Sequence, residues 1–153
     1  MATVASLHLD QQLCFALYMA TNAVTRLYRA QLGQVGLTYP QYLAMLVLWD
    51  RGPQTVKGLA DRLALDSSTL TPLLKRLEAA GLVQRERDSK DERVVRVSLT
   101  PAGDALRQPV AEIQNRVVCQ TRLSEQEFTE LRSRLHSLVQ SIAQEEESLG
   151  VAA

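Results

Sequence analysis

The sequence predicts a mainly α-helical fold that carries one short β-hairpin. Leu, Ala and Val dominate the composition and aromatic residues make up only 5% of the 153 residues, which favours helices. Apolar residues recur at helical spacing along much of the chain. Strand-like alternation is found in two short segments, residues 82–87 and 93–99, separated by a polar turn. A chain of this length suffices for one domain with its own core.

Two helices are predicted before residue 51, after a loose arm over residues 1–8. Asp10 is a suitable N-cap for a long helix from about Gln11 to Gln34. Along that helix an apolar stripe and a second stripe, offset by one residue, run in parallel; the second stripe consists of Cys14, Tyr18, Thr21, Thr25 and Tyr28. A capping box over residues 38–41 opens the next helix, which reaches about Asp50. That helix is apolar nearly all round, so we expect it to be the most buried element.

A helix-turn-helix is predicted between residues 55 and 81. Thr55 caps a short helix that ends near Leu63, residues 64–66 form a turn, and a second helix extends to Gly81. The second helix, called the reading helix below, has an inward face with the i, i+3, i+4, i+7 spacing of buried residues: Leu70, Leu73, Leu74 and Leu77.

The outward face of the reading helix carries short hydroxyls and two cations, in place of the acid–base pairs that are usual on a solvated helix. Its members are Ser67, Ser68, Thr69, Thr71, Pro72, Lys75 and Arg76. Small donors permit close approach and cations neutralise phosphates, so this face suits the major groove of DNA. Pro72 fits a helix that starts at Ser68 or Thr69, because an N–H in the first turn has no intrahelical partner. From this face alone, a surface helix on an ordinary bundle is an equal alternative.

The two alternating segments form a hairpin directly after the reading helix, which is the position of a wing. The hairpin carries a set of cations suited to phosphates or to an adjacent minor groove: Arg85, Arg87, Lys90, Arg93 and Arg96. A solvated hairpin is the alternative. Because a helix-turn-helix precedes it, we favour a DNA-binding winged helix-turn-helix.

Two further helices are predicted at the C-terminal end. Thr100 and Pro101 start one that runs to about Cys119, and a capping box at residues 124–127 starts another that runs to about Ser148. Such long helices need a partner surface, most simply an identical subunit. We therefore predict a single domain over residues 1–153, with dimerisation helices at 9–36 and 101–150 and the winged helix-turn-helix at 37–100.

Charge and cysteine usage limit the classes of function. The formal net charge is zero, but residues 55–100 hold nine Lys/Arg against seven Asp/Glu, so a modest basic excess surrounds the reading helix. No long apolar run predicts a membrane span, and the N-terminus lacks the pattern of a secretion signal. The two cysteines share no metal-ligand spacing with each other or with the two histidines, so neither a metal nor a cofactor is predicted. We expect a cytoplasmic protein with reduced thiols.

This order of elements resembles the MarR family of dimeric winged-helix regulators. Residues 13–18 (LCFALY), 37–43 (LTYPQYL) and 65–78 look like the branch of that family that senses organic hydroperoxides, the OhrR-like repressors. Ser68 departs from that pattern, since many members have Gly or Ala there. The stretch around Cys119 resembles the subgroup with a distal resolving cysteine. The resemblance implies a repressor, not an enzyme, that binds double-stranded operator DNA as a homodimer and responds to an organic hydroperoxide.

The resemblance also implies roles for the cysteines and tyrosines. Cys14 lies in the opening turn of its helix, where free N–H groups and the macrodipole favour a thiolate. Tyr28 lies about 21 Å along the same helix, at ~1.5 Å per residue, and cannot touch its own Cys14. The resemblance implies that an antiparallel partner brings Tyr28 and Tyr39 to the thiolate, together with Tyr18. It further implies that oxidation of Cys14 to a sulfenic acid is followed by an intersubunit disulfide with Cys119, and that operator DNA is then released.

Three alternatives stay open on the sequence alone. Cys14 could be an inert buried thiol beside ordinary packing tyrosines, and Cys119 could merely fill an apolar position. The two cysteines could serve a thiol peroxidase, although the reading helix would then be unexplained. The chain could also be a MarR-like regulator that a small aromatic ligand releases from DNA.

Overall fold

The computed structural model describes residues 7–150, so the predicted arm over residues 1–8 lies largely outside the described residues. The described chain divides into two compact units, one ending at Val117 and the other beginning at Val118. Helices are α1 (Leu13–Leu32), α2 (Tyr39–Arg51), α3 (Val56–Leu63), α4 (Ser67–Ala79), α5 (Pro101–Ala105), α6 (Arg107–Gln120) and α7 (Glu125–Ser148). Strands are β1 (Gln54–Thr55), β2 (Val83–Arg87) and β3 (Val95–Leu99).

Helix α1 is shorter than the predicted helix over residues 11–34. A 3-10 turn at Leu9–Gln11 precedes it, and another at Gly33–Val35 follows it. Asp10 therefore lies inside the first 3-10 turn, and Gln12 is the N-cap of α1, so the prediction that Asp10 caps the helix was wrong.

Helix α2 begins at the predicted capping box. The Gln41 N–H donates to the Thr38 hydroxyl oxygen at 3.4 Å, and the Thr38 N–H donates to the Gln41 side-chain oxygen at 2.9 Å. Six of the thirteen residues of α2 are buried, more than in any other helix within residues 7–150. The sequence-based expectation that α2 is the most buried element is confirmed.

The helix-turn-helix consists of α3, a turn in which Ala64 adopts the left-handed conformation (φ +51°), and α4. Helix α4, the reading helix, starts at Ser67, where the Asp66 carbonyl accepts from the N–H groups of Thr69 and Leu70. Pro72 therefore lies in the second turn, and the expectation that it occupies the first turn was wrong. Because proline has no N–H, the Ser68 carbonyl loses its ordinary partner four residues on.

A three-stranded antiparallel sheet with the order β1–β3–β2 forms the wing and its base. In the hairpin, Val83 pairs with Leu99 and Arg87 with Val95. Strand β1 was not predicted; its two residues pair with Arg96 and Val97 of β3. Because β2 has β3 on one side only, its other side is an edge of the sheet.

The helix predicted over residues 101–119 is broken into α5 and α6 at Leu106. Pro109 explains the break, because it cannot donate to the Ala105 carbonyl and its ring crowds that carbonyl. Just before the break, the Trp49 indole N–H donates to the Gly103 carbonyl at 3.1 Å. The Leu82 carbonyl at the start of the wing accepts from the Thr100 N–H at 3.1 Å. The start of α5 is thus tied to both α2 and the wing.

One apolar core fills the first unit. Helices α1, α2, α3, α4 and α6 and the two strands of the wing all contribute fully buried side chains: Leu32, Met45, Leu48, Leu59, Leu70, Leu74, Leu77, Val83, Val97, Val110, Ile113 and Val117. In the second unit, α7 starts at the predicted capping box of Ser124 and Glu127, and none of its residues is buried. No helix within residues 7–150 is both long enough and apolar enough to cross a bilayer.

Candidate functional site

The outward face of the reading helix is open to solvent. All of its predicted members are exposed except Thr71, which is half-buried. On the opposite side, Leu70, Leu74 and Leu77 are fully buried and Leu73 is partly buried against the core. The short hydroxyl side chains at the N-terminal end and the two cations further along therefore form one accessible strip. Its chemistry fits phosphates and base edges.

The wing cations fall into two groups. Arg85 and Arg96 are engaged in ion pairs with acids, and Arg96 Nε lies 2.7 Å from Asp88 Oδ2. Arg93 pairs with Asp91 at 3.0 Å, but its side chain is 90% exposed. Arg87 and Lys90 form no ion pair with any residue in the range 7–150. The structure thus leaves Arg87, Lys90 and Arg93 accessible at the wing.

We expect Arg93→Ala to weaken binding to duplex DNA and to reduce its salt dependence. If Arg93 neutralises a phosphate, its removal lowers the slope of log K against log [salt] by about 0.9. The exposed pair with Asp91 adds little to stability, so thermal unfolding should not change. Fluorescence anisotropy at several salt concentrations measures the slope. An unchanged slope would mean that the wing tip does not bind phosphate.

Cys14 is the second residue of α1 and its thiol is exposed. The N-terminal turn of a helix presents free N–H groups and a partial positive charge, which interact favourably with anionic groups. Tyr18 lies one turn further along the same face, and its side chain is 63% exposed. Neither residue is buried in the single chain. The exposed, helix-terminal position matches that of a reactive cysteine.

Three tyrosine rings form a cluster at the other end of α1. The ring centroid of Tyr28 lies 5.3 Å from that of Tyr39 and 5.0 Å from that of Tyr42, and the Tyr39 and Tyr42 centroids are 5.8 Å apart. Burial, followed by the charge of Tyr28, raises the pKa of Tyr39. Burial and hydrogen bonding to Tyr28 raise the pKa of Tyr42 far above its usual value. The Tyr39 and Tyr42 phenols therefore keep their protons to higher pH than exposed tyrosines do, and they can act as hydrogen-bond donors.

The cluster brings together two of the three predicted tyrosines and adds one that was not predicted. Tyr28 and Tyr39 are adjacent, whereas Tyr18 is on the exposed face near Cys14. Tyr42 lies three residues after Tyr39, on the same side of α2, so helical spacing could have identified it. Cys119 is the penultimate residue of α6, in the second unit, and its thiol is also exposed.

Comparison with known proteins agrees with this geometry. The MarR family model matches residues 37–95, which include α2, the helix-turn-helix and most of the hairpin. The chain is 40% identical over 136 residues to the organic hydroperoxide resistance transcriptional regulator of Bacillus subtilis, covering 89% of this chain and 92% of that one.

Solved structures of AbfR from Staphylococcus epidermidis are also similar. Reduced AbfR bound to DNA superposes with a TM-score of 0.77 at 36% identity, covering 89% of this chain and 93% of the other. Disulfide-formed AbfR gives a TM-score of 0.65 at 36% identity, covering 91% and 92%. The match to the family model and the alignment with the B. subtilis regulator over nearly its whole length show that the chain belongs to the MarR family of transcriptional regulators.

Proposed function

We propose that this regulator is a homodimeric repressor that binds operator DNA in the cytoplasm and is released when an organic hydroperoxide oxidises Cys14. The observation that carries the proposal is the combination of an exposed Cys14, at a helix N-terminus, with a Tyr28–Tyr39 pair that a single subunit cannot bring to it. The B. subtilis relative, a hydroperoxide resistance regulator by name, supports the same chemistry.

Exposed apolar side chains support the homodimer. In α1 these include Leu13, Met19 and Val24, and in α7 they include Leu131, Leu135, Val139 and Ile142. Helix α7 buries none of its residues in the single chain, although its apolar residues recur at helical spacing. A second copy of the chain is the simplest cover for such stripes. It would also supply the partner subunit's Tyr28 and the partner subunit's Tyr39 to Cys14.

The proposed reaction has two steps. The Cys14 thiolate attacks one peroxide oxygen, an S–O bond forms as the O–O bond breaks, and the alcohol leaves after accepting a proton. Cys14 loses two electrons and becomes a sulfenic acid, while the hydroperoxide is reduced. The Cys119 thiolate of the other subunit then attacks that sulfur, so that an S–S bond forms as the S–O bond breaks, and the departing hydroxide takes up a proton to become water.

Disulfide formation would release DNA because it constrains the geometry of the dimer. A disulfide requires Cα atoms within about 7 Å of each other. The two reading helices must meet half-sites about one DNA turn (~34 Å) apart. A helix movement of a few ångströms that brings the two cysteines together would therefore change the spacing of the reading helices, and they could no longer meet both half-sites.

Cys119→Ser tests the second step. We expect the wild-type protein treated with tert-butyl hydroperoxide to run as a covalent dimer on a non-reducing gel. The variant should stay monomeric on the gel and accumulate a sulfenic acid at Cys14, detectable with a dimedone probe and mass spectrometry. A covalent dimer in the variant would contradict the assignment of Cys119, and an unmodified Cys14 in both proteins would contradict the sensing role.

A further inference from the structure

Glu78 and Arg85 join the reading helix to the wing. We propose that this pair, the Glu78–Arg85 latch, sets the position of the wing on DNA, and that Arg85 is a positioning residue and not a DNA contact. The inference requires that the reading helix and wing bind DNA. It does not depend on the response to hydroperoxide, because it concerns the reduced protein.

The latch uses both oxygens of the carboxylate. Glu78 lies in the last turn of α4, and its Oε2 accepts from Arg85 Nε at 2.9 Å and from Arg85 Nη2 at 2.7 Å. Its Oε1 accepts from the backbone N–H of Arg85 at 3.2 Å. Charge-assisted bonds of this kind are among the strongest in proteins. Because one of them holds the backbone, the latch fixes the strand itself and not only a side chain.

The position of Arg85 in the sheet explains why the backbone bond matters. Strand β2 is an edge strand, and Arg85 is at its middle, opposite Val97. An outward N–H on such an edge would otherwise bond water. The connection between α4 and β2 is short and turns at Gly81 (φ +73°), where the Leu82 N–H donates to the Leu77 carbonyl at 3.0 Å. The latch therefore adds a second fixed point beyond this turn.

Burial separates Arg85 from the accessible wing cations. The Arg85 side chain is 23% exposed, against 90% for Arg93. The hydrogen bonds from Arg85 lower the pKa of Glu78, so the ion pair persists to lower pH than an ordinary glutamate would allow. Arg85 gives two of its five guanidinium donors to Glu78, and the burial of its side chain, which Arg93 does not share, makes the remaining donors less accessible to a phosphate. Arg87, two residues along β2 and without an ion pair within residues 7–150, is the matched cation that is free to bind DNA.

The Glu78→Gln variant distinguishes a positioning role from a purely electrostatic role, because the two roles predict opposite changes in DNA affinity. The probe is a fluorescent duplex selected by the reduced wild-type protein from random-sequence DNA. A surface acid near DNA repels phosphates, so its removal should strengthen binding if Glu78 has no other role. If the latch positions the wing, Glu78→Gln should instead weaken binding about tenfold, the equivalent of one good polar interaction. Unchanged or stronger binding would overturn the proposal.

Arg85→Gln and Arg87→Gln form the matched comparison. We expect Arg85→Gln to weaken binding without changing the salt slope, whereas Arg87→Gln should lower the slope by about 0.9 for each phosphate that is no longer neutralised. The double variant Glu78→Gln/Arg85→Gln should bind no more weakly than either single variant, because both remove the same latch. Thermal unfolding checks that each variant is folded at the assay temperature. A slope reduced in Arg85→Gln as much as in Arg87→Gln would make Arg85 a DNA contact.

Discussion

Cys14→Ser is expected to bind operator DNA as tightly as the reduced wild-type protein and to stay bound when an organic hydroperoxide is added. The serine hydroxyl is almost isosteric with the thiol, and it cannot form a sulfenic acid or a disulfide. Because the Cys14 side chain is exposed in the single chain, the substitution leaves the core intact. Anisotropy of a labelled duplex, followed while tert-butyl hydroperoxide is added, measures both affinity and release.

Two controls make this result specific. Wild-type protein treated identically should release DNA, and a subsequent thiol reductant should restore binding because a disulfide is reversible. Tyr28→Phe should bind DNA normally but react more slowly with the hydroperoxide, because the thiolate then has one hydrogen-bond donor fewer. Release of Cys14→Ser at the hydroperoxide concentration that releases the wild type would refute the proposed sensor.

Gly103→Ala is expected to destabilise the protein by about 3 kcal/mol, the upper part of the range for overpacking. A Cβ at this position would overlap the Leu82 carbonyl oxygen and lie 3.0 Å from the Leu82 carbonyl carbon. These are backbone atoms at the start of the wing, so no side chain can rotate away to make room. The same carbonyl accepts from the Thr100 N–H, and this bond would be strained too.

The chain offers both a control and a probe for this prediction. Gly33 has φ −55° and no atom within 4 Å of a Cβ, so Gly33→Ala should be neutral or slightly stabilising. Trp49 is the only tryptophan, and its indole N–H donates to the Gly103 carbonyl. Its fluorescence therefore reports on the contact between α2 and α5 during urea unfolding. Equal urea midpoints for Gly103→Ala and Gly33→Ala would show that the Leu82 backbone can move without lowering the stability of the protein.

Helical spacing and capping residues predicted most of the fold. The capping boxes at Thr38 and Ser124 and the hairpin pattern located four elements from local sequence. The two-residue strand β1 was missed because its only stabilisation is pairing with β3, about forty residues away, which no local pattern encodes. The break at Leu106 could have been predicted, since Pro109 removes the donor that a continuous helix needs.

The candidate site was predicted less completely than the fold. Side-chain spacing on α4 correctly separated its buried and exposed faces. The sequence could not distinguish Arg85 from Arg87, because pairing with Glu78 depends on the angle at which the wing leaves the reading helix. The proposed contacts of Cys14 with Tyr28, Tyr39 and Cys119 lie between two subunits. Because neither the sequence nor the single chain contains that interface, these contacts remain a proposal.

The buried Tyr42 side chain has a consequence for the tyrosine cluster in alkaline solution. Surface tyrosines begin to ionise near pH 10, and an anion beside a thiolate would repel it. The raised pKa values of Tyr42 and Tyr39 keep both phenols protonated beyond that range. In the proposed dimer, the partner subunit's Tyr39 would therefore meet Cys14 as a neutral hydrogen-bond donor and not as a repelling anion.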